Sequence, residues 1–370
     1  MLMAVCILRG FQGAIADKVA GFGSHIVVRS FASSPAYDET PISTQRPEIE
    51  AIANVDGVRH VQFFANKGGM VKTDDQIHGV IFKGVDSGSD TTFFASNLVA
   101  GRMFQYPDST ASNEIIISRT MADKLHFDVG DKVRTYFWQG STYRARAFTV
   151  AGIYSTDLTE YDEHYIVGDL RQVQRLNGWG ADQVAGYEVL LDNFSDIDKV
   201  TPQVLDNLGY DLTLQTIADL NPALFSWLDL LNSNIALIIV LMALVCTVAI
   251  VSSLLIMIFE KTSTIGVLKT LGATNRSVRE IFLIKSTGII GRGVLIGNAV
   301  AILLCWLQTS FHVIKLDSEI YSMSSVPIDF NPLIFITISL GTLAVCLVAL
   351  LLPTDYISRI EPAQSIRVEN

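Results

Sequence analysis

The densest polar cluster of this 370-residue chain is Glu160-Tyr161-Asp162-Glu163-His164. Carboxylates and an imidazole this close together could hold a cation, but a Ca²⁺ loop needs oxygens at alternating positions around a glycine turn, which the cluster lacks. We therefore interpret it as a surface loop. The sequence also lacks a G-x-x-x-x-G-K-[ST] phosphate loop, an H-E-x-x-H zinc motif and a G-x-S-x-G nucleophile motif. We expect no catalytic residue, no metal and no cofactor in this chain.

A second group of residues has a pattern that suits binding. Ile265, Leu268 and Leu271 repeat every three residues beside Lys261 and Lys269. As a short helix, this segment would have one apolar face with basic flanks. It would either dock into a groove on a cytoplasmic partner or lie flat on the membrane surface. The residues predicted to make the contact are Glu260, Lys261, Ile265, Gly266, Leu268, Lys269, Leu271 and Gly272, the two glycines permitting close approach or a turn.

Three long apolar stretches must position this segment. They cover residues 235–259, 286–311 and 333–352, and the first and third carry no charge. Each is long enough to cross a hydrocarbon layer of about 30 Å at about 1.5 Å per residue. The sequence therefore predicts three membrane-spanning helices.

The second stretch contains an unusual charge and several glycines. The distance between Arg292 and Phe311 favours a position near the cytoplasmic interface, where the arginine would snorkel; a buried functional charge is the alternative. Gly293 and Gly297 have the small-xxx-small spacing of close helix packing. The sequence does not say which helix would pack there.

The charges of the short loops orient the spans, because Lys and Arg mark the cytoplasmic side. Residues 260–285 and the carboxyl-terminal tail are basic and carry Lys261, Lys269, Arg276, Arg279, Lys285, Arg359 and Arg367. The loop of residues 311–332 has a single base, Lys315, and three acidic residues. We expect the basic segments in the cytoplasm and residues 24–232 on the opposite side.

The amino terminus poses a problem for this topology. A large outer domain requires a preceding span, yet only Met1 to Leu8 are apolar before Arg9, which is too short to cross a bilayer. A signal peptide would carry its basic region before the apolar core. We infer that residues 1–23 are the remnant of a first span and its exit, from a truncated or mis-assigned start. An interfacial anchor is the alternative.

Residues 24–232 resemble a water-soluble α+β domain, and residues 233–370 form the membrane domain. Residues 30–232 carry 28 acidic and 15 basic residues, a net charge of −13, which argues against nucleic-acid binding. Ser30 to Pro47 should be a loop. Alternating apolar runs predict strands at His25–Arg29, Val58–Phe64, Gln76–Val85, Glu114–Ser118, Val133–Trp138, Tyr143–Tyr154 and Tyr187–Leu191. Apolar spacing, with serine N-caps in two cases, predicts helices at Arg119–His126, Asp169–Asn177 and Ser195–Leu208.

The segment after the first long stretch resembles the signature of ABC transporter permeases of the MacB/FtsX/lipoprotein-releasing (LolC/LolE-like) family. The resemblance rests on Glu260-Lys261, residues 265–274 and 279–283, and a closing motif in residues 357–369. Residues 10–26, 113–133 and 152–162 are similar to the lipoprotein-releasing branch. Two departures stand out: most of the first span is missing, and Arg292 occupies a position where relatives usually have small or apolar residues.

The resemblance implies a multi-pass protein of the bacterial inner membrane with a large MacB-like domain in the periplasm. It implies a separate ATPase, which binds ATP and Mg²⁺ and docks on residues 260–272. It also implies a second permease chain in a homo- or heterodimer, a lipoprotein substrate and a periplasmic carrier. ATP-driven closure would be transmitted through the spans to the outer domain.

Other functions remain open at this stage. Within the same superfamily, the chain could be a MacB-like efflux permease or an FtsX-like regulator of cell-wall hydrolases. The outer domain is large for the FtsX type, and no ATPase is fused to the chain as in MacB. From a different class, it could be a membrane-anchored sensor or binding protein whose spans only hold it in place.

Overall fold

The computed structural model describes residues 1–33, 39–73, 76–107, 110–139, 142–316, 323 and 325–358, and their side chains as far as residue 350. The chain divides into two compact units. The outer unit contains Gly13–Phe225 and a short stretch from Leu316. The helical unit contains Met1–Gln12, Ser226–Lys315 and the chain from Ser325 onward.

The helices of the described residues are short in the outer unit and long in the helical unit. They are α1 (Leu2–Phe22), α2 (Pro47–Ala53), α3 (Thr92–Ser96), α4 (Arg119–Leu125), α5 (Thr159–His164), α6 (Leu170–Asn177), α7 (Ile197–Asp206), α8 (Ile217–Leu220), α9 (Pro222–Glu260), α10 (Thr262–Thr270), α11 (Asn275–Phe311) and α12 (Pro332–Ser358). The three predicted helices of the outer domain correspond to α4, α6 and α7. Ser118 caps α4 as predicted, because its side chain accepts a hydrogen bond from the Met121 N–H at 3.0 Å.

The strands belong to the outer unit. They are β1 (Ile26–Ser30), β2 (Ile42–Ser43), β3 (Val58–Lys72), β4 (Ile77–Val85), β5 (Leu98–Gly101), β6 (Glu114–Ser118), β7 (Lys132–Gln139), β8 (Thr142–Tyr154), β9 (Tyr165–Asp169), β10 (Gln183–Val184), β11 (Gly186–Leu191) and β12 (Leu212–Thr216). All seven predicted strands are present, and β3 continues well beyond its predicted end. Sequence reasoning missed β2, β5, β9, β10 and β12, each of which has five residues or fewer.

One mixed sheet holds most of these strands. Its order is β12, β1, β11, β3, β4, β9, β6, β8 and β5, and β7 pairs with β3 and β8. The pairs of β4 with β9 and of β6 with β8 are parallel, and the other pairs are antiparallel. β2 and β10 form a separate pair.

The register of the sheet separates an apolar face from a polar one. Ile26 pairs with Val189 and Val28 with Tyr187, and all four are fully buried in the main hydrophobic core. The residue between them on β1, Val27, pairs with Glu188. Because successive side chains of a strand point to opposite faces, Glu188 lies on the face away from Tyr187 and Val189. The outer unit thus buries a large core on one face and carries charged groups on the other.

Two predictions for the outer domain are corrected by the structure. The cluster of residues 160–164 lies in helix α5, so the interpretation as a surface loop is wrong. Asp162 is buried there, and its carboxylate accepts hydrogen bonds from the Thr156 N–H at 3.0 Å and hydroxyl at 2.7 Å. Burial raises the pKa of this carboxyl. Asp162 is therefore a structural anchor for the turn before α5.

The predicted loop of residues 30–47 is also only partly irregular. Strand β1 extends to Ser30, β2 occupies Ile42–Ser43, and α2 begins at Pro47. Residues 34–38 lie outside the described part of the chain. The pairing of β2 with β10, which is distant in sequence, explains why local composition did not reveal this strand.

The helical unit contains the apolar stretches predicted from the sequence. In the described part of the chain, three helices are long and apolar enough to cross a membrane: Pro222–Glu260, Asn275–Phe311 and Pro332–Leu350. The prediction of three membrane-spanning helices is confirmed. The most apolar part of α9 has no fully buried residue, so much of its apolar surface is exposed in this single chain.

The first twelve residues pack within the helical unit. Leu2 and Cys6 of α1 form a small cluster with Cys305 of α11. The Cys6 carbonyl accepts a hydrogen bond from the Asp329 N–H at 3.1 Å. A Cβ at Gly10 would lie 2.7 Å from the Pro327 carbonyl oxygen, so this close approach requires glycine. α1 is not among the three candidate spans, and its origin as a first-span remnant stays a prediction.

Candidate functional site

The predicted contact segment forms a compact corner between two long helices. We call residues 260–274 the coupling corner. Helix α9 ends at Glu260, and α10 begins at Thr262 after the single residue Lys261. The Thr262 hydroxyl donates a hydrogen bond to the Ile258 carbonyl at 3.0 Å, and the Lys261 N–H donates to the same carbonyl at 3.2 Å. The chain therefore turns sharply while its backbone stays hydrogen-bonded.

Gly272 terminates α10 through a defined backbone motif. Its φ of +97° lies in the region that favours glycine. The Gly272 N–H donates to the Lys269 carbonyl at 3.1 Å, and the Ala273 N–H donates to the Leu268 carbonyl at 3.0 Å. This pair of bonds is a Schellman motif, which satisfies carbonyls at a helix end. The expectation that a glycine turn ends this segment is met at Gly272.

The next helix begins immediately after this turn. The Thr274 side chain accepts a hydrogen bond from the Ser277 N–H at 3.2 Å and caps α11. Only Leu271 to Thr274 separate α10 from α11. With a Schellman motif on one side and an N-cap on the other, the corner is a stiff connection.

Ile265 holds α10 against the long helices. It is buried in a cluster with two residues of α9, two of α11 and one of α12, namely Leu254, Ile258, Val278, Phe282 and Leu350. Gly266 is buried beside it. These two residues of the predicted contact set face the interior of the helical unit, so they anchor the corner.

The outer face of α10 differs from the one predicted. Leu271 is 80% exposed and Val267 is 50% exposed, whereas Leu268 is half-buried. A helix turns by about 100° per residue, so a three-residue repeat drifts by about 60° at each step. Ile265 and Leu271 therefore cannot share one face. Sequence reasoning missed Val267, although its spacing of four residues from Leu271 could have revealed it.

Charged residues surround this small apolar face. Glu260 and Lys261 are exposed at the start of the corner, and Lys269 is half-buried. Arg276 and Glu280, one turn apart on α11, form an ion pair at 3.0 Å. An exposed apolar pair inside a charged rim has the anatomy of a protein-binding surface.

The predicted packing residues of α11 are open within this chain. No heavy atom outside the local helix lies within 4 Å of a Cβ placed at Gly293 or Gly297. Arg292 is exposed near the middle of α11. Helix packing at these glycines stays a prediction, because no described residue of this chain reaches them.

The arrangement suits binding and force transmission. Within the described residues, no group of three or more His, Cys, Asp or Glu side chains is placed to hold a metal ion. The corner itself contains no histidine or cysteine that could act as a base or nucleophile. Its recognisable features are a rigid backbone and an exposed face.

Comparison with solved structures gives two partial similarities to this chain. The periplasmic region of MacB from Actinobacillus actinomycetemcomitans aligns with 56% of this chain and 95% of that chain, at 11% identity and a TM-score of 0.37. The extracellular domain of the ABC-type transporter YknZ from Gram-positive bacteria aligns with 52% of this chain and 99% of that chain, at 17% identity and a TM-score of 0.35.

Similar sequences extend over the whole chain. LolC, a lipoprotein-releasing system transmembrane protein of Xylella fastidiosa, is 23% identical over 100% of this chain and 90% of its own length. LolC of Neisseria meningitidis is 22% identical over 100% of this chain and 91% of its own. LolE of Haemophilus influenzae is 21% identical over 98% of this chain and 90% of its own.

Two family models divide the chain between them. The model of the MacB-like periplasmic core domain matches residues 1–206, more than half of the chain, and that of the FtsX-like permease C-terminal domain matches residues 211–362. Together with the three apolar helices, these matches describe a membrane protein with a periplasmic α+β domain. The chain belongs to the MacB/FtsX/lipoprotein-releasing family of ABC transporter permeases.

Proposed function

We propose that this chain is the permease subunit of an inner-membrane ABC transporter that releases lipoproteins toward a periplasmic carrier. The observation that carries this proposal is the similarity to LolC proteins over 100% of this chain and about nine-tenths of theirs. A relative that shared only the outer domain or only the helices would not support the same function. The similarity to LolE of Haemophilus influenzae supports a second, related permease chain as partner.

The coupling corner is the proposed docking site of a separate ATPase subunit. Val267 and Leu271 would insert into an apolar groove of the ATPase, while Ile265 and Gly266 hold α10 in place. Glu260, Lys261 and Lys269 would set orientation at the rim. ATP and Mg²⁺ would be bound by the partner, since this sequence lacks a phosphate-binding loop.

The backbone of the corner suits the transmission of movement. α10 is fixed at one end by the Schellman motif at Gly272 and along its length by the Ile265 cluster. A push on its outer face would therefore move α9 and α11 rather than bend the connection. Each of these helices is continuous, over 39 and 37 residues, and reaches across the apolar region without a break.

We also propose that α1 is the carboxyl-terminal part of a first membrane span. Its early residues pack against α11, and Phe11 contacts Trp227 of α9 at a ring distance of 5.8 Å. The Gln12 side chain donates to the Leu228 carbonyl of α9 at 3.2 Å. Residues that only lay on a membrane surface would not need such contacts with the spanning helices.

The docking proposal is tested by placing a charge on the exposed apolar face of the coupling corner, at Leu271 just after α10. We expect Leu271→Asp to abolish co-purification of an ATPase subunit with the intact permease and to abolish stimulated ATP hydrolysis. A buried carboxylate without a partner would oppose the docking. Ile77→Asp is a matched control, because Ile77 is also an exposed apolar residue but lies in the outer unit. Unchanged ATPase association in Leu271→Asp would refute the docking site.

The transported substrate is tested by depletion of the protein in its own cell. Lipoprotein release predicts that outer-membrane lipoproteins accumulate in the inner membrane, and that Leu271→Asp fails to rescue them. Normal lipoprotein sorting would refute the proposal. Drug sensitivity or a division defect with normal sorting would instead support MacB-like efflux or FtsX-like signalling.

A further inference from the structure

A cavity of about 560 Å³ lies on the polar face of the outer sheet. Strands β12, β1, β11, β3, β4 and β9 contribute to its floor, and residues of α1, α5 and α8 cover it. All of its lining residues belong to the outer unit, so it is distinct from the coupling corner. Its volume falls within the range of small-molecule binding sites.

Two of the charges in the cavity neutralise each other. Lys83 Nζ and Glu188 Oε1 are 2.5 Å apart, and both side chains are only 4% exposed. The second carboxylate oxygen of Glu188 accepts from the Gln62 amide at 2.7 Å, and Lys83 also donates to the Phe22 carbonyl. This pair is fully engaged and leaves no charge for a ligand.

Arg29 and Asn66 differ from this pair because each has a buried polar atom without a partner. Arg29 Nε and Asn66 Oδ1 are buried and form no hydrogen bond within the described chain. The Arg29 guanidinium lies 5.4 Å from the ring centre of Phe64, and no described carboxylate forms an ion pair with it. An unsatisfied buried polar group is costly. A ligand that satisfies both groups would place a hydrogen-bond acceptor at the Arg29 Nε–H and a donor at the Asn66 oxygen.

Glu39 does not cancel the charge of Arg29 fully. Its carboxylate accepts a hydrogen bond from the Asn66 N–H at 3.1 Å. Burial raises the pKa of Glu39 to about 7, so a substantial fraction of this carboxyl is neutral near neutral pH. Arg29 therefore keeps a positive charge at its end of the cavity, whereas Glu160, an exposed carboxylate, lines the wall that α5 contributes.

The opposite wall of the cavity is aromatic and aliphatic. Phe22 lies 4.9 Å from Tyr161 and 5.8 Å from Tyr165, measured between ring centres. Val19 and Ile81 extend this wall. The cavity thus combines a cationic, hydrogen-bonding end with an apolar end.

We propose that this cavity binds an anionic amphiphile whose headgroup also carries a hydrogen-bond donor. An anionic oxygen would accept from Arg29, the donor would reach Asn66 Oδ1, and the apolar part would lie against Phe22 and the neighbouring tyrosines. Such a ligand would satisfy both orphaned groups at once. A cation would be repelled by Arg29, and a purely apolar molecule would leave Arg29 and Asn66 unsatisfied.

The test uses the full chain in phosphatidylcholine nanodiscs with N-octanoylglycine as the probe, which has a carboxylate, an amide N–H and a short tail. We expect calorimetric titration to show saturable binding that empty nanodiscs lack. Arg29→Met should weaken it at least about tenfold, the loss expected for a charged hydrogen bond. Asn66→Leu should weaken the binding of N-octanoylglycine more than the binding of octanoate, because octanoate has no amide N–H to donate to Asn66. A short-chain phosphatidylglycerol, run in parallel, distinguishes a phospholipid from a free carboxylate as the preferred source.

Two further arginine variants serve as controls for Arg29→Met. Arg59→Met is the matched variant, because Arg59 lies on the same sheet but pairs with Asp90 at 3.1 Å outside the cavity lining, and it should bind normally. Arg29→Lys should restore part of the affinity if Arg29→Met retains the wild-type circular dichroism spectrum. Equal binding in Arg29→Met and wild type, equal binding of octylamine, or no saturable heat from any anionic probe would each overturn the site.

Discussion

The outer and helical units bury their apolar side chains in opposite ways. In the outer unit, the large side chains Tyr154, Tyr187, Phe82 and Phe137 are fully buried around one sheet. In the helical unit, the most apolar part of α9 is not buried at all, and Leu244 is 59% exposed. The outer unit is therefore organised for water. The helical unit is organised for a solvent as apolar as its own side chains.

Different forces also stabilise each of the two units. Burial of apolar surface from water drives the folding of the outer unit. Inside a bilayer this driving force is absent between helices, and association depends on close packing and hydrogen bonds. In the helical unit these contacts are local: the Ile265 cluster at the coupling corner and a hydrogen bond of 2.7 Å between Asn298 and Ser339.

The largest expected difference is in stability, when a buried side chain of the outer unit and an exposed one of the helical unit are each replaced by alanine. Phe82→Ala should lower the free energy of unfolding of the outer unit by about 3 to 5 kcal/mol, because it removes a ring packed against Phe137 and Phe148. Leu244→Ala should change stability by less than about 1 kcal/mol. Hydrogen exchange of the full chain in nanodiscs measures the change in stability of both variants. A comparable loss in Leu244→Ala would mean that this surface packs against protein rather than lipid.

A smaller effect is expected from the titration of Glu39 in the outer unit. Burial raises its pKa from 4.5 to about 7, against the lowering effects of the Asn66 N–H, Arg29 and Lys67, and Glu188 raises it further. The folded state therefore holds this proton more tightly than the unfolded state, so stability falls as pH rises through this window. Relative to Glu39→Gln, the wild type should lose about 1 to 3 kcal/mol between about pH 5 and about pH 8.

The measurement is thermal unfolding of the outer unit followed across this pH range. Glu50→Gln is the reference substitution, because Glu50 is also an acidic residue of the outer unit but is exposed to solvent. Parallel curves for the wild type and Glu39→Gln would show that Glu39 titrates normally.

The smallest of the three effects concerns the coupling corner. Gly272→Ala should destabilise the corner by about 1 to 2 kcal/mol, because a side chain at positive φ is strained although space is open around it. Gly288→Ala is the matched control, since that glycine is also open but has no positive φ. Exchange rates of the α10 amides report the difference. Equal rates in the two variants would show that the Schellman turn contributes little rigidity.

Much of the outer fold could be predicted from alternation in the sequence. The seven runs predicted as strands are strands, because each is an alternating or β-branched apolar run bounded by turn residues. β9 and β12 escaped prediction although they are as long as β1 and β6, because they form by pairing with strands that are distant in sequence. The cluster at residues 160–164 was misread because its composition did not reveal that Asp162 bonds Thr156.

The candidate site shows the same limit. The position of the coupling corner between two long helices was predictable, since a charged segment with glycines separates two long apolar stretches; its role in docking stays a prediction. Its outer face was not predictable, because the direction of each side chain depends on how α10 rests on α9 and α11. Burial of Ile265 turns Val267 and Leu271 outward; their four-residue spacing puts them on one side, but it does not say whether that side is exposed.

The sequence by itself determined three apolar helices, an α+β outer domain and a short coupling segment, because length and periodicity reflect the solvent that each segment meets. Only the tertiary structure decided which residues of α10 are exposed and which groups meet in the outer cavity. Arg29 and Asn66 lie on β1 and β3, which are joined through β11. Residues this far apart in sequence become neighbours only through the pairing of the sheet.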